Sequence, residues 1–395
     1  GNNDPSVAAA LNDVAWAMDW NGKYSEAQSL AGEALGIQRQ TLGEGHPETA
    51  RSIAFLGEIM QQRGQLSQAD AVLSAAISIQ SKLIGEDNPE TLYSFNSLAV
   101  TLEQEGKWDE AETVHRKALA LWRKRSGNED PQTLWQLQCL IRVLVVEKKY
   151  AGAEQSLGEV LTPAFVMQPA SANILAQRVD LMGRQGRWQE ATTDAALVLK
   201  YQPAEHYRYH TLAGLLVITR DIPRYEQLCQ TILATFTNNT NPYVAERMAD
   251  DCLLMPRPGL DLPAVDNLAE AAVRLGGGDD LLPYIQACKA MANYRLGRFT
   301  EAVEWAGKPL GGPQVYAEAK ACAVLAMADW QLGQKEAAQS MLAKGNTLVP
   351  GILSHQGNVD LGDAWVAWLF ARIALDEATA LLRPASTTVK NLDNP

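Results

Sequence analysis

The chain has 395 residues, 47% of them hydrophobic, with 34 Lys and Arg against 46 Asp and Glu and a formal charge of −12. Such a charge repels phosphate backbones and anionic headgroups, which argues against nucleic acid as a partner, and no apolar run reaches the roughly 20 residues that span a bilayer. The five cysteines, Cys139, Cys229, Cys252, Cys288 and Cys322, are odd in number and lack CxxC spacing, so buried thiols are expected rather than a disulfide framework.

In chain order, a proline after a polar residue stands at Pro5, Pro47, Pro89 and Pro131, every 42 residues, and a glycine returns in step at Gly22, Gly64 and Gly106. A fixed period of this size predicts helix pairs that pack on their neighbours in an array. In the third copy, residues 85–118, Phe95, Leu98, Ala99 and Leu102 fall on one face of a helix that Gly106 ends. Trp108, Ala111, His115 and Ala118 mark the inner face of a second helix, with Asp109 and Glu110 in the first turn, where the dipole favours acids. The linkers GEGHPET, GEDNPET and GNEDPQT each set a polar residue before a Pro that takes the first helical position. Lys148 occupies the fourth glycine position.

The expected organisation is four 42-residue units over 1–162, a proline-marked joint over 163–171, five shorter or divergent units over 172–383, and a disordered tail over 384–395. In the second half Gly186, Gly297 and Gly333 restart the motif, and further pairs run over 205–236 and 242–275. A closing helix from about 360 to 382, with Trp365, Trp368, Leu369 and Ile373, should cap the array's last apolar face. The start GNNDPSV, without an initiator Met and directly before a repeat, reads as a piece of something longer.

The pattern of Leu, small residue, Gly, aromatic and Ala resembles the tetratricopeptide repeat, and the 42-residue form is similar to the kinesin light chain type. It departs at Lys148, and Ala54 replaces the Asn found as Asn12 and Asn96. The resemblance implies an all-α solenoid, a right-handed superhelix of about nine helix pairs plus a capping helix. Residues 170–382, including YHTLAGLLVITRDIPRYEQLCQ and AMANYRLGRFTEAVEW, resemble the repeat region of bacterial eukaryotic-like serine/threonine kinases. In that family a kinase domain and a membrane span precede the repeats, which implies a sensor or substrate-recruiting region whose catalytic domain is absent from this chain. No Gly-rich loop, HRD or DFG occurs, so no kinase activity is expected in these residues. The family layout would put the repeats outside the cytoplasm, whereas unpaired cysteines favour a reducing one.

A repeat array of this kind lines its concave surface with the first helix of each pair. Carrying over the family's inward positions gives Asn12, Trp16, Asp19 and Trp20, then Arg51, Glu58, Gln61 and Gln62, then Tyr93, Asn96, Glu103 and Gln104, then Trp135, Gln138 and Arg142. Amides offer donor and acceptor together to an extended backbone, the aromatics offer anchors, and Arg51 and Arg142 could select an acidic residue. Against this, a Trp in a helical repeat commonly packs between helices. The expectation is a non-catalytic scaffold for an extended peptide or partner protein, with no catalytic residue, metal or cofactor.

Other clusters read more plainly. His206 and His210, four apart on a helix, lack a third ligand and the Glu of HExxH. The acidic pairs Asp250–Asp251 and Asp279–Asp280 read as solvated helix ends. Arg116, Lys117, Arg123, Lys124 and Arg125 could attract acidic partners, but cations near a helix end also complement its dipole.

Overall fold

The structure, a computed structural model, describes residues 4–276, 278–349 and 360–383. Two compact units divide the chain, Gly1–Ile174 and Leu175–Pro395.

The first unit is four helix pairs and a short connection. They are α1 (Pro5–Trp20) with α2 (Tyr24–Thr41), α3 (Pro47–Gln62) with α4 (Leu66–Leu83), α5 (Pro89–Gln104) with α6 (Trp108–Ser126), and α7 (Pro131–Val146) with α8 (Tyr150–Gly158). A single turn, α9 (Pro163–Val166), and a 3-10 turn (Pro169–Ser171) follow over the stretch expected to be a joint.

Each pair starts and turns for local reasons. The side chains of Asp4, His46, Asn88 and Asp130 accept the backbone N–H of Ser6, Glu48, Glu90 and Gln132, with Pro in the first helical turn. At the far end Gly22, Gly64 and Gly106 take φ of 74°, 72° and 76°, and the next residue's N–H reaches back to the carbonyls of Met18, Met60 and Leu102 at 2.9 Å. The fourth turn is the same without glycine. Lys148 itself takes φ 58°, and Lys149 N–H bonds the Leu144 carbonyl at 2.7 Å.

Small residues then let the paired helices close. Ala8, Ala15, Ala27, Ala31, Ala34, Ala69, Ala111 and Ala118 are fully buried, and a Cβ on Gly57 would stand 2.7 Å from Leu73 Cγ. Around Ala69, Ala111 and Ala118 pack Leu92, Phe95, Leu98, Leu102 and Trp122, all buried, each contributing about 1.5–3 kcal/mol by leaving water.

The second unit holds α10 (Ala172–Arg184), which begins at the division, with α11 (Trp188–Tyr201), then α12 (His206–Ile218) with α13 (Ile222–Phe236), and α14 (Pro242–Leu253) with α15 (Leu262–Leu275). It continues with α16 (Leu282–Arg295) and α17 (Phe299–Gly307), α18 (Val315–Gln331) and α19 (Lys335–Leu348), and closes on α20 (Trp365–Leu382). Nine pairs and a closing helix thus appear among the described residues, an all-α repeat architecture.

The closing helix does more than cover the last pair. It packs on α18 and α19 and also on α12, and single side chains carry it further. Trp365 Nε1 donates to Asp180 of α10 at 2.8 Å, Arg295 of α16 donates to Glu377 at 2.6 Å, and Tyr316 of α18 meets Trp368 edge-on at 4.4 Å. Glycines make room for it. A Cβ on Gly183 would lie 2.5 Å from the Trp365 ring, one on Gly214 2.8 Å from Phe370, and one on Gly345 2.6 Å from Leu375.

Two expectations need correction here. Asp250 and Asp251 are not at a solvated end: they lie inside α14 at 7% and 0% exposure, because Asp250 faces a cavity walled by the neighbouring first helices and α20, and Asp251 meets His210 of α12. The closing helix begins at Trp365 rather than near 360. Residues 384–395, expected to be disordered, lie outside the described residues. All five cysteines are buried and unbridged, and among the described residues no helix is long and apolar enough to cross a membrane.

Candidate functional site

In the first unit the first helices α1, α3 and α5, with Gln80 of α4, line an open cleft of about 440 Å³. It brings together Asn12, Trp16, Arg51, Glu58 and Tyr93 of the residues expected from sequence. Trp20, Asn96, Glu103, Gln104, Trp135, Gln138 and Arg142 do not line it. Gln61 is buried in the packing of the array and offers no surface there.

The aromatics are open to solvent. Trp16 is 59% exposed and stacks on Trp20 at 5.9 Å between centroids, Trp20 is 80% exposed, and Trp135 is 42% exposed. Tyr93, 47% exposed, meets the buried Trp122 edge-on at 5.9 Å, which braces its ring from beneath. Trp16 and Trp20 are thus mostly open, whereas packing covers slightly more than half of Tyr93 and Trp135.

The polar residues form a ladder between successive first helices. Asn12 Nδ2 donates to Ser52 Oγ at 2.7 Å, Arg51 to Glu90 at 2.6 Å, Ser97 Oγ to Glu58 at 2.9 Å, and Arg142 to Glu103 at 3.0 Å, each across 39 or 40 residues. The two arginines expected to select an acidic ligand are therefore already engaged, Arg51 between Glu48 and Glu90 and Arg142 with Glu103. Asn12 Oδ1 and Asn96 Oδ1 are buried without a hydrogen-bond partner among the described residues.

Burial pushes Glu58 up from the ordinary carboxylate value; the Ser97 hydrogen bond opposes it and the nearby Asp19 charge adds to it. At Glu103 burial also acts upward, but hydrogen bonds from His115 and Arg142 outweigh it and the group lies below its usual range. Buried His115 is held by Glu103 at 2.8 Å and by Gln136 at 2.6 Å. That network ties the second helix of one pair to the first helix of the next.

Sequence reasoning missed Asp13, Glu48 and Glu90, which also line the cleft. Glu48 and Glu90 recur at one place in the linkers, directly after Pro, where an acid also suits the first turn of a helix. Among the weaker clusters, His206 Nδ1 faces Arg247 at 3.1 Å and His210 Nδ1 faces Asp251 at 2.6 Å, so each ring already has its own partner on α14. Asp109, Glu112 and Glu147 lie close enough to hold a cation, and the Lys149 ammonium reaches all three at 2.7–3.1 Å. Arg116, Lys117, Arg123 and Lys124 pair with Glu112, Glu86, Glu159 and Asp87, and Arg125 donates to the Asp87 carbonyl.

The tetratricopeptide repeat family model matches residues 6–82 and 52–124. This stretch carries tetratricopeptide repeats. Among solved structures the chain is similar to the TPR-like repeats of a kinesin light chain from Podosopora anserina, at 24% identity, TM-score 0.46, over 50% of this chain and 96% of that one. It is also similar to BtubC from P. vanneervenii, at 19% identity, TM-score 0.42, over 51% and 81%. A tetratricopeptide repeat protein from Parabacteroides merdae is 15% identical, TM-score 0.42, over 74% and 99%. The comparison with curated proteins gives no match. Tetratricopeptide repeats generally mediate protein–protein interaction, typically as non-catalytic scaffolds.

Proposed function

We propose that the first unit is a non-catalytic scaffold whose α1, α3 and α5 surface binds an extended segment of a partner protein rich in basic residues. The observation that carries this is the cleft's lining. Asp13, Glu48, Glu58 and Glu90 supply four carboxylates, while the single guanidinium, Arg51, is taken by Glu48 and Glu90. Trp16 and Tyr93 stand beside them as exposed anchors of the kind that dominates binding energy. An acidic segment would meet uncompensated repulsion.

Fluorescence anisotropy with labelled extended peptides, basic and acidic but otherwise matched, tests the proposal. The basic peptide binds, and Trp16→Ala or Tyr93→Ala each weakens it by about 2 kcal/mol or more with unchanged helical CD. Preference for the acidic peptide refutes the assignment. A second reading rests on the resemblance of residues 170–382: the chain is a sensor or substrate-recruiting region of a bacterial serine/threonine kinase. Reading the parent gene upstream of Gly1 decides that question.

A further inference from the structure

The second unit contains a separate cavity of about 270 Å³, walled by the first helices α12, α14, α16 and α18 on one side and by Val366, Ala367 and Phe370 of α20 on the other. Its ionisable groups divide into satisfied and unsatisfied ones. Lys320 is ion-paired with Asp250, both buried, and His210 is bonded to Asp251, while Asp251 Oδ2 is buried without a hydrogen bond among the described residues.

Glu246 and Arg247 have no such ion pair among the described residues. Glu246 is only 7% exposed, lines the cavity, and its carboxylate has no hydrogen bond or ion pair among the described residues. An unpaired carboxylate in such a place costs several kcal/mol unless something neutralises it. Burial pushes its pKa up, against the attraction of Lys320, His210 and Arg247. Arg247, beside it in the same lining, touches His206 Nδ1 at 3.1 Å and the Tyr207 ring at 5.2 Å and has no carboxylate within ion-pair distance among the described residues. The guanidinium carries five N–H donors and uses one of them on His206.

We infer that this cavity binds a small zwitterion of the amino-acid type, its ammonium on Glu246, its carboxylate on Arg247, and its apolar body against Tyr284, Tyr316 and Phe370. Each half of the ligand answers one unpaired group. An amine alone would leave Arg247 without an acid, and an organic acid alone would leave Glu246 without a cation. The volume lies just under the range of about 300–1,000 Å³ common for small-molecule sites, which fits a single amino acid and excludes a folded segment. Aromatic faces around a charged pair also favour an apolar or aromatic side chain over a polar one.

Isothermal titration calorimetry of the full chain against each standard L-amino acid, up to roughly 10 mM, provides the test and reaches millimolar Kd, about −4 kcal/mol. At least one amino acid binds saturably with one site per chain. Its amine lacking the carboxylate and its acid lacking the amine bind at least tenfold more weakly, and Glu246→Gln and Arg247→Met each weaken the amino acid at least tenfold. A melting curve guards against misfolding: Glu246→Gln removes an unpaired buried charge, so the unliganded variant melts at or above the parent. The inference is overturned if no amino acid binds, if either single-charge analogue binds as well as the zwitterion, if Glu246→Gln retains affinity, or if that variant melts well below the parent.

Discussion

The two units use the same helix pair to opposite ends. In the first, the surface of the first helices is open: Trp16, Trp20, Tyr93 and Trp135 lie 42–80% exposed, and polar side chains bridge one repeat to the next. In the second, the corresponding helices are covered by α20, and charged groups that would be solvated in the first unit are buried, Glu246, Asp250 and Lys320 among them. Aromatic residues follow suit. Trp365 is 2% exposed where Trp20 is 80% exposed. A repeat therefore fixes how helices pair, while the added helix decides whether the inner surface is available to a partner.

The sharpest way to break this contrast is to truncate one Trp in each unit. Trp365→Ala removes a buried ring that fills the space above Gly183 and hydrogen-bonds Asp180, and it should cost about 4 kcal/mol, as large-to-small core changes do. Trp20→Ala should cost less than about 0.5 kcal/mol, as at ordinary surface positions. Urea denaturation of both variants checks the pair; equal losses would mean that the first unit is not open at Trp20.

Glycines give a smaller version of the same test. Gly183→Ala puts a Cβ 2.5 Å from the Trp365 ring, so one of them must move, at about 1–3 kcal/mol. Gly32→Ala in α2 meets no atom within 4 Å and removes a helix-interior glycine, so it should stabilise by about 0.5–1 kcal/mol. Opposite signs are expected from the same chemical change.

The third test uses pH within the first unit. Glu58 has a folded pKa raised above the ordinary 4.5. Its folded state therefore holds a proton that the unfolded chain releases, and its contribution to stability is present at low pH and lost as pH rises through the raised value. Affinity for a basic peptide runs the other way, because the carboxylate must be ionised to attract it. Through this window affinity should rise with pH by roughly tenfold, about 1.4 kcal/mol, and Glu58→Gln should flatten the dependence. Anisotropy across pH 4–7 measures it; a slope that survives in the variant would assign the effect to another group.

How far the sequence revealed this depended on the range of the interaction. The caps at Asp4, Asn88 and Asp130 and the turns at Gly22, Gly64 and Gly106 are set by residues within a few positions, so period and helix pairing were legible. The arginines were not. Arg51 meets Glu90 and Arg142 meets Glu103 across 39 residues, a distance set by stacking one repeat on the next, and only a search for acids at that offset could have found the ladder. Asp250 and Asp251 were misread for the same reason at longer range. A helix that starts more than a hundred residues later helps to bury Asp250, and nothing in ADDCL announces it.

The last test concerns what the units share. Lys148 in the first and Arg220 in the second adopt φ of 58° and 61°, the left-handed region, at the turn where other pairs place glycine. Both turns close alike: Lys149 N–H bonds the Leu144 carbonyl at 2.7 Å, and Asp221 N–H bonds the Leu216 carbonyl at 2.9 Å. A side chain in that region costs about 1–2 kcal/mol, of which the greater freedom of glycine in the unfolded chain takes back about 0.4–1 kcal/mol. Lys148→Gly and Arg220→Gly should each stabilise by about 0.5–1 kcal/mol, nearly equally, since neither turn depends on α20. A gain at Lys148 alone would mean that the contrast between the units reaches down to the turns themselves, and that the helix pair is not the common element from which both were built.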